Sequence, residues 1–316
     1  ACAYLTLNVV LPRLAPGIEA QALIARSQGQ LDPAALEALR ATLGDSDAPL
    51  LEQYMAYLGR TLTGDLGISA ANYPAPVTAV IATGLLWTLA LAGTAVVISF
   101  LIGSALGMLA AWRRGGRLDR IVPPLLALLG AFPYFWLAML LLYGLAYHGG
   151  WFPVRHAYGD TITPGWTCAF FASVIRHAIL PATTIVIATL GGWMLAMRNS
   201  MVTVLREDYV ALAHAKGLPA HQVMLRYAAR NALLPTVASV GMALGFVVSG
   251  SLLTEIVFSY PGLGYLLVQA VRNQDFALMQ GLFLTITLAV LAANLLVDLA
   301  CAALDPRIRD GARRTA

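Results

Sequence analysis

The chain has 316 residues, 59% of them hydrophobic and only 11% charged, with mean hydropathy +0.73 and a formal net charge of +4. A soluble domain carries about 25% charged residues, so this composition excludes a fold covered by water on all sides and requires lipid over much of the surface. The basic balance comes from arginines that flank apolar runs, with Lys216 the only lysine; that pattern orients a protein in a membrane and argues against a nucleic-acid-binding face.

The first apolar run, residues 1–12, is shorter than the roughly 20 residues a spanning helix needs. It reads as the end of a first transmembrane helix whose start precedes the sequence, with a signal-peptide remnant as the alternative. Residues 13–84 form the one long polar stretch and are expected to make an extracytoplasmic helical cap. Within it, Asp32 to Leu43 predicts a short helix with Asp32 as N-cap and Pro33 at the first helical position. Leu50 to Leu62 predicts a second.

Five further uncharged runs are long enough to span: Leu85–Trp112, Ile121–Tyr147, Ala178–Met197, Ala232–Thr254 and Gln280–Val297. Backbone groups in lipid must be satisfied within their own segment, so each is expected to be helical. The fold class is therefore all-α membrane protein with six transmembrane helices, the first incomplete here; residues 85–316 form the transmembrane domain. Pro133, Pro181 and Pro235 interrupt or open three spans. Between spans three and four, Pro164 to His177 carries Trp166, Phe170 and Phe171 near Arg176 and His177. It reads either as a helix lying in the headgroup region or as an irregular loop.

Arginine sets the orientation. Arg113, Arg114, Arg117 and Arg120, then Arg198, Arg206, Lys216, Arg226 and Arg230, then Arg307, Arg309, Arg313 and Arg314 fall on one side, in three short segments. The remaining basic residues are spread over longer loops. The dense side is expected to be cytoplasmic, with both termini inside.

The cytoplasmic segment at about 198–235 carries the most information. Leu205, Tyr209, Leu212 and Ala213 follow the spacing of one helix face. Glu207 and Asp208 near the start and Lys216 in the last turn suit the helix dipole. Gly217 can turn left-handed and stop the helix, and Pro219 can open the next, on which Arg226 and Arg230 stand four apart. The pattern predicts helix, glycine elbow, helix: a knob offered to a cytoplasmic partner. An ordinary amphipathic loop accounts for the charges but not for the elbow.

This stretch, with DYVALAHAKGL and RNALLP, resembles the EAA loop of ABC importer permeases, in the form found in the dipeptide/oligopeptide/nickel subfamily. GDLGIS (Gly64–Ser69), WFPV (Trp151–Val154), TEIVFSYPGLGYLL (Thr254–Leu267) and DPRIR (Asp305–Arg309) occur in the subfamily's order. The sequence departs from the pattern at Ala211 and His214, where basic residues are usual, and at Ala15–Ile18, where PGDP reads APGI.

The resemblance implies the type I importer permease fold and residence in a bacterial inner membrane. It implies a second homologous permease, two ATP-binding subunits and an extracytoplasmic substrate-binding protein as partners, beside membrane lipid. It implies import of peptides or peptide-like solutes, with no cofactor in this chain and with ATP and Mg bound by the partner ATPases. Glu207, Asp208, Tyr209, Leu212, Ala213, Lys216, Gly217, Leu218, Arg230 and Asn231 are the residues it assigns to ATPase coupling.

Ser249, Ser251 and Asn294 are candidates for the translocation path, since polar groups in a span face water or protein; hydrogen bonds between packed helices are the alternative for each. No phosphate-loop pattern G-x-x-x-x-G-K-[ST] occurs, nor HExxH or GxSxG, and the five histidines do not cluster at ligand spacing. A non-catalytic subunit is expected. An ion-coupled secondary transporter is the alternative reading, disfavoured because the spans are empty of charge, with Glu255 and Asp298 near their ends.

Overall fold

The structure, a computed structural model, describes residues 50–236 and 251–304. Among the described residues it is helical, with a lone bridge between Ile68 and Pro76 as the only extended pairing. In chain order the helices are α1 (Leu50–Thr63), α2 (Val77–Trp112), α3 (Arg117–Gly130), α4 (Tyr134–Leu141), α5 (Cys168–Val204), α6 (Asp208–Ala215), α7 (Ala220–Gln222), α8 (Leu252–Val257), α9 (Leu263–Asn273) and α10 (Phe276–Leu304). α4 runs on as a π-helix, Leu142–His148, and α7 as another, Val223–Ala229. The all-α expectation holds. The first apolar run, the Asp32–Leu43 helix, most of the fifth span and DPRIR lie outside the described residues.

α2 and α5 are long and apolar enough to cross a membrane. At 36 and 37 residues and 1.5 Å per residue, each is about 55 Å long, well beyond a hydrocarbon core of about 30 Å. The surplus corrects one expectation. Pro164–His177 is not a separate surface element, because α5 starts at Cys168 and runs unbroken through Pro181 into the span. Thr167 caps it by accepting the Phe170 N–H at 3.3 Å. The third expected span is also corrected. Instead of one helix over Ile121–Tyr147, α3 and the α4 segment meet at 99°. Pro133 is the N-cap of α4; lacking an N–H, it opens a helix more easily than it continues one.

The chain divides into two compact units. One comprises the chain up to Trp87 with Pro261–Leu288, the other Thr88–Tyr260 with the chain from Ala289. In the first unit the GDLGIS segment follows α1, with Gly64 and Gly67 at φ +79° and +83°. Its Ser69 is buried and donates to the buried Asp275 carboxylate at 2.6 Å; the Ala71 N–H donates to the same oxygen at 2.9 Å. The other Asp275 oxygen accepts the Leu278 N–H at 3.0 Å, so Asp275 caps α10 while it fastens the GDLGIS turn.

In the second unit α5 is the central helix. Glycines let α2 approach it. A Cβ on Gly103 would lie 2.6 Å from the Trp193 Cβ, and one on Gly107 would meet the Met194 carbonyl and sit 2.9 Å from the Arg198 nitrogen. This is the small-xxx-small contact that brings membrane helices together by dispersion where the hydrophobic effect is weak. On another side of α5, Gly191 abuts the Leu126 backbone of α3. Met194 packs with Ala110 and Leu126 in the resulting core.

Candidate coupling site

The elbow forms at the arginine-rich end of the second unit. α5 stops at Val204, and α6 begins at Asp208 with Glu207 as N-cap. The acidic pair thus sits on the positive end of the α6 dipole. Lys216 is the C-cap, and Gly217 follows at φ +72°. The Gly217 N–H donates to the His214 carbonyl at 2.9 Å and the Leu218 N–H to the Ala213 carbonyl at 3.4 Å. These two bonds make a Schellman stop, completed by Leu218 packing back on the α6 core. Pro219 is the N-cap of α7.

The buried face of α6 differs from the one the spacing predicts. Leu205 belongs to the turn after α5, so the apparent periodicity through it crosses a helix break. Val210 and Ala213 are buried against Val223, Trp112, Val204, Leu205 and Leu218. Tyr209 and Leu212 are 37% and 56% exposed. The elbow is thereby fixed to the ends of α2 and α5 and to the helix that follows α7. Trp112 also stacks on His214, ring centroids 6.1 Å apart. Outward it presents Glu207, Asp208, Tyr209, Leu212, Lys216 and Gly217. Asn231 donates to the Tyr209 hydroxyl at 2.9 Å, joining the two halves of the motif. Arg230 is exposed and stands apart from the elbow, beside Arg226.

Sequence reasoning missed a second anchor at the same end. Arg198 donates from Nε and Nη2 to the two Asp119 carboxylate oxygens at 2.5 and 3.2 Å, and the Gly115 N–H adds a bond of 2.9 Å. The Arg198 hydrogen bond, then the Gly115 N–H, hold the Asp119 carboxyl below the usual carboxylate range. The bridge ties α3 to α5 just above the elbow. Its signal in the sequence is Asp119 itself, a lone acid among four arginines.

Of the path candidates, Ser249 lies outside the described residues. Ser251 is buried and donates to Glu255, four residues along its own helix, at 3.3 Å. Asn294 is exposed. Glu255 is itself fully buried and accepts the Thr88 hydroxyl at 2.8 Å. The turn after α8 is held by the His156 N–H, which donates to the Phe258 carbonyl at 3.1 Å. Among the described residues, no three His, Cys, Asp or Glu side chains come together to hold a metal ion.

Long apolar helices, a broken span and an elbow at their basic end define an integral membrane protein. Residues 103–310 match the family model described as binding-protein-dependent transport system inner membrane component. A putative peptide permease protein of Brucella suis biovar 1 is 38% identical over 301 residues, covering 95% of this chain and 92% of the relative. The dipeptide transport system permease protein of Escherichia coli K12 is 35% identical over 288 residues, covering 86% and 84%. An inward-facing structure of the MetNI methionine ABC transporter shares the fold, with a TM-score of 0.58 at 15% identity over 72% of this chain and 96% of that one. The chain belongs to the binding-protein-dependent transport system inner membrane component family, the permease components of ABC importers.

Proposed function

We propose that this chain is a membrane-spanning subunit of an ATP-driven importer of peptides or peptide-like solutes, and that the α6–Gly217–α7 elbow couples it to separate ATPase subunits. The observation that carries this reading is the Schellman stop at Gly217. It produces a knob that turns Glu207, Asp208, Leu212 and Lys216 outward. The peptide permease names of its relatives support the substrate class. A second permease completes the path, with Asn294 among the exposed polar residues that could face it. An extracytoplasmic binding protein delivers the solute, and both termini lie inside. Nucleotide-driven closure of the ATPases moves the knobs, and the knobs bias the two subunits between inward- and outward-open states.

Two measurements test this. Single-cysteine labelling in intact cells should find position 216 protected and position 160 reactive; the reverse pattern removes the orientation. Co-purification of the ATPases with variants of Glu207, Asp208 and Lys216, together with peptide uptake in proteoliposomes, tests the knob. Full assembly and uptake in an Asp208→Arg, Lys216→Glu double variant would remove it.

A further inference from the structure

The third span breaks at about half its depth. α3 ends at Gly130 and α4 opens at Tyr134, and the two meet at 99°. Gly130 fixes the level. A Cβ there would lie 3.3 Å from the Ala188 carbonyl. Ala188 stands on α5 about 15 Å from Arg198, midway along the apolar stretch Ala178–Met197. A hydrocarbon core is about 30 Å thick, so the break lies near its centre. The helical ladder is open at this point. The Ala131 and Phe132 N–H groups close α3 on the carbonyls of Ala127, Leu128 and Leu129. Those of Gly130, Ala131 and Phe132 accept no bond from a donor among the described residues. Beside them Ala131, Pro133, Phe135 and Trp136 are exposed, and Trp136 stacks on the half-buried Phe132 with ring centroids 5.0 Å apart. Tyr134 is half-buried, and its hydroxyl has no partner among the described residues.

Lipid does not cover such a surface, because irregular backbone at membrane depth persists only where protein buries it or water reaches it. α2 shows the contrast: it exposes Leu89, Val97 and Leu101 from an unbroken helix, as a lipid-facing surface does. An apolar partner helix laid over the break would strand its carbonyls and the tyrosine hydroxyl. Water, or a solute that carries N–H donors, satisfies them. We propose that the α3–α4 break faces the water-filled translocation path, and that Tyr134 and the Trp136–Phe132 stack contact the peptide passing it. The inference rests on the importer reading above. A peptide matches this surface in both respects: its N–H groups suit the open carbonyls and the hydroxyl, and its side chains suit the aromatic faces. Other transporter folds place solutes at the midplane against unwound backbone for the same reason.

The test uses the assembled transporter in proteoliposomes, with Cys2, Cys168 and Cys301 replaced by serine and single cysteines placed at Ala131, Phe135 or Leu101. A charged, water-soluble thiol reagent is present on both sides of the membrane. Positions 131 and 135 should react at least ~tenfold faster than 101, since the reactive thiolate is suppressed in apolar surroundings. In uptake assays with the same binding protein throughout, Trp136→Ala should lower entry of a phenylalanine-containing dipeptide about fivefold relative to diglycine. Trp136→Phe should restore most of that ratio, and Tyr134→Phe should slow both peptides, whose backbones are alike. Melting temperatures close to the parent's separate these effects from misfolding. Reactivity at 131 and 135 as slow as at 101 overturns the proposal, because lipid or a partner subunit then covers the break. An unchanged peptide ratio in Trp136→Ala overturns the contact assigned to the aromatic stack. Failure of the parent to take up any peptide, with 131 and 135 still reactive, overturns the substrate class proposed above and the peptide contact with it.

Discussion

Replacing Gly217 isolates the backbone conformation of the elbow from its contacts. A Cβ added there meets nothing within 4 Å, so within the chain the cost of a side chain is conformational alone. At φ +72° an L-residue pays roughly 1–2 kcal/mol, more if β-branched and least for Asn. That is about a 5–30-fold loss in the population of the native elbow. If only this conformation docks, apparent affinity for the ATPase falls by the same factor. The order expected is Gly217, then Asn, then Ala, then Val. The assay is titration of purified ATPase subunits against each variant in detergent, with uptake in proteoliposomes measured beside it. Membrane insertion and melting temperature should barely move. Parental affinity and uptake in Gly217→Val would refute the reasoning. Equal loss in Asn and Val would show that a partner's surface, and not φ, sets the requirement.

Asp119→Asn should cost about 2 kcal/mol by weakening the charge-assisted bonds to Arg198, read as a lower melting temperature. Because the folded Asp119 carboxyl is held below the ordinary aspartate value of about 3.9, its contribution is complete above that value and is lost as pH falls through the depressed one. Melting should therefore be insensitive to this residue's titration between about pH 5 and 8, and a step in that window which Asp119→Asn abolishes would contradict the assignment. Gly107→Val should destabilise by about 1–3 kcal/mol through overpacking against α5. Gly93→Ala, with open space at its Cβ, should be neutral or stabilising by up to about 1 kcal/mol, and comparable melting of the two would undo the close-approach account. Glu255→Gln should keep an acceptor for Thr88 and melt close to the parent, whereas Glu255→Ala should cost about 3 kcal/mol or more by leaving a cavity and stranded donors; equal melting would show that the carboxylate oxygens hold nothing.

What could be read in advance follows from the range of the interaction. α2 and the core of α5 were legible because an apolar run in lipid has no option but to be helical. The stop at Gly217 was legible because a helix end is written within a few residues. The 99° turn after α3 was not. Pro133 marks a weak point in the run, but the size and direction of a bend are set by what the two halves pack on. The face of α6 was only partly read, because periodicity carries no mark for the break at Leu205: Ala213 is buried as expected, but Val210 takes the place given to Tyr209 and Leu212. The polar fastenings were out of reach for a plainer reason. Asp119 and Arg198 are 79 residues apart, Thr88 and Glu255 are 167 apart, and nothing local names the partner.

The widest of these separations has a consequence for how the protein is made. Ser69 and the Ala71 N–H meet an Asp275 carboxylate that lies 206 residues downstream of Ser69. At about 5–20 residues per second, a ribosome needs roughly 10–40 s to cover that distance. For that interval the GDLGIS turn is already synthesised while the aspartate that fastens it does not exist, and α10 cannot be capped until it emerges. The unit that begins first therefore waits on residues made after most of the second unit, and a chain stalled before residue 275 leaves its GDLGIS turn unfastened.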